Sequence, residues 1–208
     1  MAKAREANIP VTVVAVDTTK IEDRKAFIGT DSAAAGLAQI TALHSVVGDD
    51  MKIGVIMSNL DAQNQIIMLD AAKEYIKQFP NAEILDVRAD SGDMNTAMEV
   101  FSSMIDAYPE MNCLMGLEGG GAPGFAKILT ERKLTDKICV IPMDDTEQNL
   151  AVVRSGEIYG IMAQDFFKMG YLGAKYAWQA AQGIEVPSLT DSGITLVTKD
   201  NIDTYKNK

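Results

Sequence analysis

The residues able to do chemistry in this chain recur at one kind of place, directly after a short apolar run. Asp17 follows Val11–Val16, Asn59 and Asp61 follow Ile53–Met57, and the stretch Arg88–Asp93 follows Ile84–Val87. Glu118 follows Cys113–Leu117, Asp144 and Asp145 follow Ile138–Met143, and Gln164 follows Tyr159–Ala163. Carboxylates and carboxamides dominate the set, and Arg88 is its one basic residue. Carboxylates accept charge-assisted hydrogen bonds from vicinal hydroxyls, and carboxamides both donate and accept. The set therefore suits a neutral polyol or sugar, or a cation. Helix capping by short polar residues accounts for about half of it, Asp93 and Asp145 most readily. Capping accounts poorly for Glu118 and Gln164, since neither type is a favoured N-cap.

Glu118 also opens the turn Glu118-Gly-Gly-Gly-Ala-Pro-Gly124, in which Gly119, Gly121 and Gly124 have the spacing of a dinucleotide fingerprint. A strand before it, a helix after it and an acid, Asp144, about 20 residues on agree with that reading. Its position in the third βα unit, the leading Glu118 and the internal Pro123 disagree, because a phosphate there should meet backbone N–H groups rather than a carboxylate. Nucleotide binding, and with it a nucleotide-dependent oxidoreductase, is the weaker reading. A Walker-type loop is excluded, since no Lys-Ser or Lys-Thr follows the glycines.

No nucleophile–base pair stands out, so the sequence points to no catalytic residue and to no cofactor. Cys113 and Cys139 read as free, buried thiols acting as small hydrophobes, and their spacing fits no zinc pattern. The single histidine, His44, lies on a helix and is assigned no role.

These positions need elements to hold them. From Lys52 to Gln164 five apolar runs alternate with four stretches of helical spacing. The runs do not alternate internally, as in strands covered on both faces, so the pattern predicts a parallel sheet with helices on both sides. Every strand of such a sheet points the same way, which brings all the strand-end residues to one edge, where open α/β sheets take their ligands. Leu37, Ile40, Leu43 and Val47 mark the inner face of a preceding helix, and Ala97, Phe101, Met104 and Tyr108 that of another. The flanks carry two strands near Val11–Val16 and Ala26–Ile28, a helix from Phe166 to Gln182, a loop from Pro187 to Gly193 and a last strand at Ile194–Val197. They read as parts of a second sheet. The tail Lys206-Asn-Lys208 reads as frayed.

Composition bounds the partners. The chain has 208 residues, a formal net charge of −10 and twelve methionines, most of them at helical spacing and so core filler. An acidic surface argues against nucleic acid and anionic membrane as partners. No apolar run approaches the roughly 20 residues that span a bilayer. The amino terminus lacks an apolar h-region, which reads as no signal peptide in this chain.

Several spaced blocks resemble the sugar-binding proteins of ABC importers, the ribose- and galactose-binding type. They are Ala7-Asn-Ile-Pro-Val11 leading to Asp17, Phe27-Ile-Gly-Thr-Asp31 with Ala35-Gly36, and Val140-Ile-Pro-Met-Asp144. Ser155-Gly-Glu-Ile-Tyr159, Ala163-Gln164 with Lys168-Met-Gly-Tyr-Leu-Gly173, and Asp191-Ser-Gly-Ile-Thr-Leu-Val-Thr-Lys199 extend the likeness over essentially the whole chain.

The resemblance implies an α/β fold of doubly wound parallel sheets, the type I periplasmic-binding-protein architecture, in which two lobes close on a monosaccharide. It implies crossings near Thr30-Asp31, Gln164-Asp165 and Asp191–Gly193, hence a complete lobe at 31–164 and a partial first lobe at 1–30 and 165–208. Elements of roughly 70–100 residues that the family carries before Asp17 have no counterpart here, so the resemblance implies that this chain alone binds sugar weakly or not at all. It also implies that the open strand edge around Val11–Val16 can pair with another chain, allowing self-association through the partial lobe. Asp17, Asp144 and Gln164 match family ligand positions, and Asn59 and Asp61 neighbour them. The family usually has Asn where this chain has Glu118, and Arg where it has Gln65, departures that favour a differently decorated polyol or an aminated sugar. An importer permease is the implied protein partner of the full-length molecule, and its implied location is extracytoplasmic. The same fold serves as the sensor region of LacI-type regulators and sensor kinases, the alternative reading.

Overall fold

The computed structural model describes residues 1–205, and the tail expected to fray lies outside the described residues. In chain order the elements are α1 (Ala2–Glu6), β1 (Thr12–Val14), β2 (Ala26–Gly29), α2 (Ser32–Val47), β3 (Lys52–Met57), α3 (Gln63–Ile76), β4 (Glu83–Ala89) and α4 (Met94–Ala107). They continue with β5 (Cys113–Gly116), α5 (Ala122–Arg132), β6 (Cys139–Ile141), α6 (Glu147–Ser155), β7 (Gly160–Gln164), α7 (Phe166–Ala181), β8 (Leu189–Asp191) and β9 (Ile194–Thr198).

Among the described residues the chain divides into two compact units, one of residues 32–163 and 195–205, the other of residues 1–31 and 164–194. The boundary expected from sequence placed the whole of 165–208 with the partial lobe. The structure instead packs 195–205 on the larger unit, where Val197 and Ile202 enter the main hydrophobic cluster and Tyr205 packs against it.

In the larger unit four strands form a sheet in the order β4-β3-β5-β6, and all their pairings are parallel. Strand β7 pairs with β9 and follows β6 through one parallel bridge, Met143 to Met162. Strand β3 is thus the point from which the winding turns one way to β4 and the other way to β5, the topological switch of a doubly wound sheet. Buried, non-alternating side chains hold it: Ile53, Val55 and Ile56 on β3, Leu114 and Met115 on β5, Val140 and Ile141 on β6 are fully enclosed. Phe101 of α4 and Phe125 of α5 meet edge to face at 5.4 Å in the cluster that also holds Ile56, Leu114 and Val140. Nine of the twelve methionines are buried, but only Met68, Met104 and Met169 of these lie on helices, so they fill the core mostly from strands and turns rather than through helical spacing.

The expected inner face of α2 needs one correction. Leu37 is exposed, while Gly36, Gln39, Ile40 and Leu43 are buried. The helix is rotated because Gly36 lies flat against the Met68 backbone of α3, and a Cβ there would sit 2.6 Å from the Met68 Cα.

The smaller unit has a three-stranded parallel sheet in the order β1-β2-β8, packed by α7. Strand β8 falls inside the stretch expected to be a loop; its partner is β2, through the pairs Phe27–Leu189 to Gly29–Asp191. Strand β1 is shorter than its apolar run, since Ala15 takes a positive φ of 67° and ends it. It is not enclosed on both faces: Val14 and Val16 are exposed.

Candidate functional site

The carboxyl edge of the larger unit is assembled from four turns. The turn after β3 carries Asn59 and Asp61, both exposed, with Asn59 Oδ1 3.4 Å from the Asp61 backbone nitrogen. Gln65, one turn into α3, is buried and spends its carboxamide on the same turn: Oε1 accepts the Ser58 N–H at 2.9 Å and Nε2 donates to Ser58 Oγ at 2.9 Å. In the turn after β4, Asp93 caps α4 by accepting from the Asn95 and Thr96 N–H groups. The Thr96 N–H and hydroxyl hold the Asp93 carboxyl below its ordinary range. Arg88 stays on the strand, paired with Asp86 at 2.6 Å and donating to Ser103.

The glycine turn after β5 is shaped by its own acid. Glu118 is buried, and its carboxylate folds back so that Oε1 accepts the Gly121 N–H at 2.8 Å and Oε2 accepts the Gly120 N–H. Those are the donors a phosphate would need. The dinucleotide reading therefore fails on geometry. Desolvation by burial, and then the neighbouring Asp90 carboxyl, push Glu118 up to about 7.

None of Gly119, Gly120 and Gly121 has a positive φ, so the run serves close approach. A Cβ on Gly119 would sit 2.5 Å from Asp144 Oδ2, and one on Gly120 would sit 2.7 Å from the Gly92 carbonyl oxygen. The bare backbone of the glycine turn thus meets the Gly92 carbonyl of the turn after β4 and the Asp144 side chain of the turn after β6.

Asp144 ends the turn after β6 with a φ of 69°, a region that Asp and Asn enter more readily than other side chains. Asn149, buried in α6, fixes it: Nδ2 donates to the carbonyls of Gly119 at 2.9 Å, Asp144 at 3.0 Å and Met143 at 3.2 Å. Thr146 caps α6, and Asp145 instead accepts the Tyr205 hydroxyl at 2.6 Å. Gln39 of α2 acts likewise beneath the edge, its Nε2 donating at 2.7 Å to both Gly116 and Ile141 carbonyls. Asn149, Gln39 and Asp90 were not singled out from sequence. The first two sit inside helices, where a polar residue in an apolar stripe was the available signal.

In the smaller unit Asp17 is held by Arg24, with both contacts at 2.6 Å, and accepts the Thr18 N–H at 2.8 Å. Gln164 is the last residue of β7, with Asp165 capping α7 behind it. Cys113 and Cys139 are register partners on β5 and β6 and are free thiols; burial pushes the Cys139 thiol up to about 12. His44 bonds Tyr75 and Asp49 at 2.9 Å on the α2–α3 flank, away from the strand ends.

A parallel sheet wound both ways from β3, with a polar carboxyl edge, defines a ligand-binding α/β lobe. The profile of the periplasmic binding protein domain family matches residues 1–185, and the chain belongs to that family. Among solved structures, an ABC transporter solute binding protein from Burkholderia graminis, in complex with D-arabinose, superposes with a TM-score of 0.92 at 26% identity. The match covers 98% of this chain and 71% of that one. A second, from Agrobacterium vitis with bound D-fucose, gives a TM-score of 0.92 at 25% identity over 99% of this chain and 71% of that one. A glucose-galactose binding protein from Geobacillus stearothermophilus, at 22% identity and TM-score 0.90 over 96% and 71%, shares the fold. No curated protein matches the chain.

Proposed function

We propose that the chain is the sugar-binding protein of an ABC importer, holding a monosaccharide or related polyol at the carboxyl edge of the larger unit. One observation carries the reading: Asn59, Asp61 and Asp144 stand in the turns at and beside the β3/β5 switch point. They form the acceptor-rich set that vicinal hydroxyls require. Solved proteins of the same fold that hold D-arabinose and D-fucose support it. They are transport proteins, which favours an importer over a sensor of the same fold.

On this reading residues 31–164 are one ligand-binding lobe, and residues 1–30 and 165–194 belong to the other. Asp17 and Gln164 are the candidates on the second set, and Gln65 and Glu118 shape their turns from beneath. The protein works by binding rather than turnover, outside the cytoplasm, and hands its ligand to a membrane permease.

Asp144→Asn tests the reading. Asn tolerates the positive φ, so the turn survives, while the charged acceptor is lost. The variant should unfold at the wild-type midpoint and bind D-arabinose or D-fucose about tenfold more weakly, the loss expected for one charge-assisted hydrogen bond. Equal affinity in the two proteins, or no binding of any monosaccharide by either, contradicts the reading.

A further inference from the structure

Asp90 is a strand-end acid that the proposed sugar contacts leave unused. It is fully buried at the end of β4, its N–H donating to the Met57 carbonyl and its Oδ1 accepting the Gly92 N–H at 2.9 Å. Its other oxygen, Oδ2, is enclosed and has no donor among the described residues. The carboxyl beside it is that of Glu118, within hydrogen-bonding reach. Both Glu118 oxygens already accept backbone N–H groups of the glycine turn.

Two carboxylates cannot bond to one another, and an enclosed anionic oxygen without a donor is costly. A proton on either acid removes both problems at once. We infer that Asp90 and Glu118 hold one proton between them, and that this proton ties the turn after β4 to the glycine turn after β5. Asp90 is thus a positioning residue: it acts through Glu118, whose grip on Gly120 and Gly121 sets the backbone against which Asp144 packs.

The surroundings leave the pair without a compensating cation. Among the described residues no lysine, arginine or histidine hydrogen-bonds or ion-pairs with either acid. Asp93, at the start of α4, adds repulsion to Asp90. Asp144, on the turn after β6, lies across Gly119, and Asp145 beside it is bonded to Tyr205. From β3 the Met57 carbonyl accepts the Asp90 N–H at 2.9 Å.

Sign and window follow. Burial holds Asp90 above its ordinary range and Glu118 at about 7 against an ordinary 4.5. Between those values the folded state carries more protons than the unfolded chain, so this pair's contribution to stability is lost as pH rises through the interval.

The decisive variant is Asp90→Asn. Its Oδ1 can still accept the Gly92 N–H, while Nδ2 replaces the orphaned oxygen and donates to Glu118 without needing a proton. Thermal unfolding of the full chain is followed from pH 5 to pH 8 for wild type, Asp90→Asn and Glu118→Gln. Wild type should lose stability relative to Asp90→Asn by about tenfold in unfolding constant per pH unit across the window, the signature of one extra proton in the folded state. Asp90→Asn should melt higher than wild type at pH 8. The infrared carbonyl band of a protonated carboxylic acid, present in wild type at pH 6, should vanish in both variants. Parallel stability curves for wild type and Asp90→Asn, or a wild type without that band, would overturn the inference. If Asp90→Asn does not fold, the band and slope in Glu118→Gln decide in the same way.

Discussion

Asn149 and Gly120 do opposite work at the same spot. Asn149 joins two turns by donating to three carbonyls, and Gly120 lets two turns meet by having no side chain. Asn149→Ala leaves three carbonyls short of a donor in a buried setting and should lower the unfolding free energy by about 2–3 kcal/mol. Gly120→Ala must push either the Gly92 carbonyl or the Glu118 carboxylate aside and should cost about 1–3 kcal/mol. Urea denaturation with an unchanged m-value checks both. At this scale the sequence showed which residue types line the edge, but not their direction. Glu118 read as an acid turned to a ligand, and in the fold its oxygens are taken by its own turn. Gln65 is spent on Ser58 in the same way. Both side chains can close a local ring only once strand and helix are in place, a condition invisible in a string of letters.

Among the elements, β3 to β7 and their helices were legible because buried runs and 3.6-residue spacing are strong local signals. Gly156, with its φ of 82°, ends α6 as a glycine C-cap should. The misses have a shared cause. Strand β8 is three residues long and exists through its pairing with β2, and β9 joins the larger unit through partners far away in sequence. Leu37 read as core because spacing alone cannot show that Gly36, beside it, forms the close contact. That contact gives a prediction with an unusual sign. Gly to Ala in a helix ordinarily stabilises by roughly 0.5–1 kcal/mol. Gly36→Ala should destabilise instead, since its Cβ would meet the Met68 backbone, and circular dichroism melts would show a lower midpoint.

At the scale of the molecule the two units differ in how much they enclose. The larger has a core running through twenty buried side chains, while the cluster in the smaller is Ala26, Ile28 and Met169. Val14, Val16, Phe167, Tyr171 and Trp178 of the smaller unit stand exposed. Amide exchange should therefore be faster in β1, β2 and β8 than in β3, β5 and β6. Equal protection would mean that the smaller unit is held by more than its own contacts.

On the proposed function, sugar meets the carboxyl edge around the β3/β5 switch. Amide resonances of the labelled protein, titrated with D-arabinose and D-fucose to millimolar concentration, test it directly. Shifts are expected at Asn59, Asp61, Gly119 and Asp144, with none at the opposite edge around Asn112, Lys137 and Ile158. Shifts confined to that opposite edge, or none with either sugar, would contradict it.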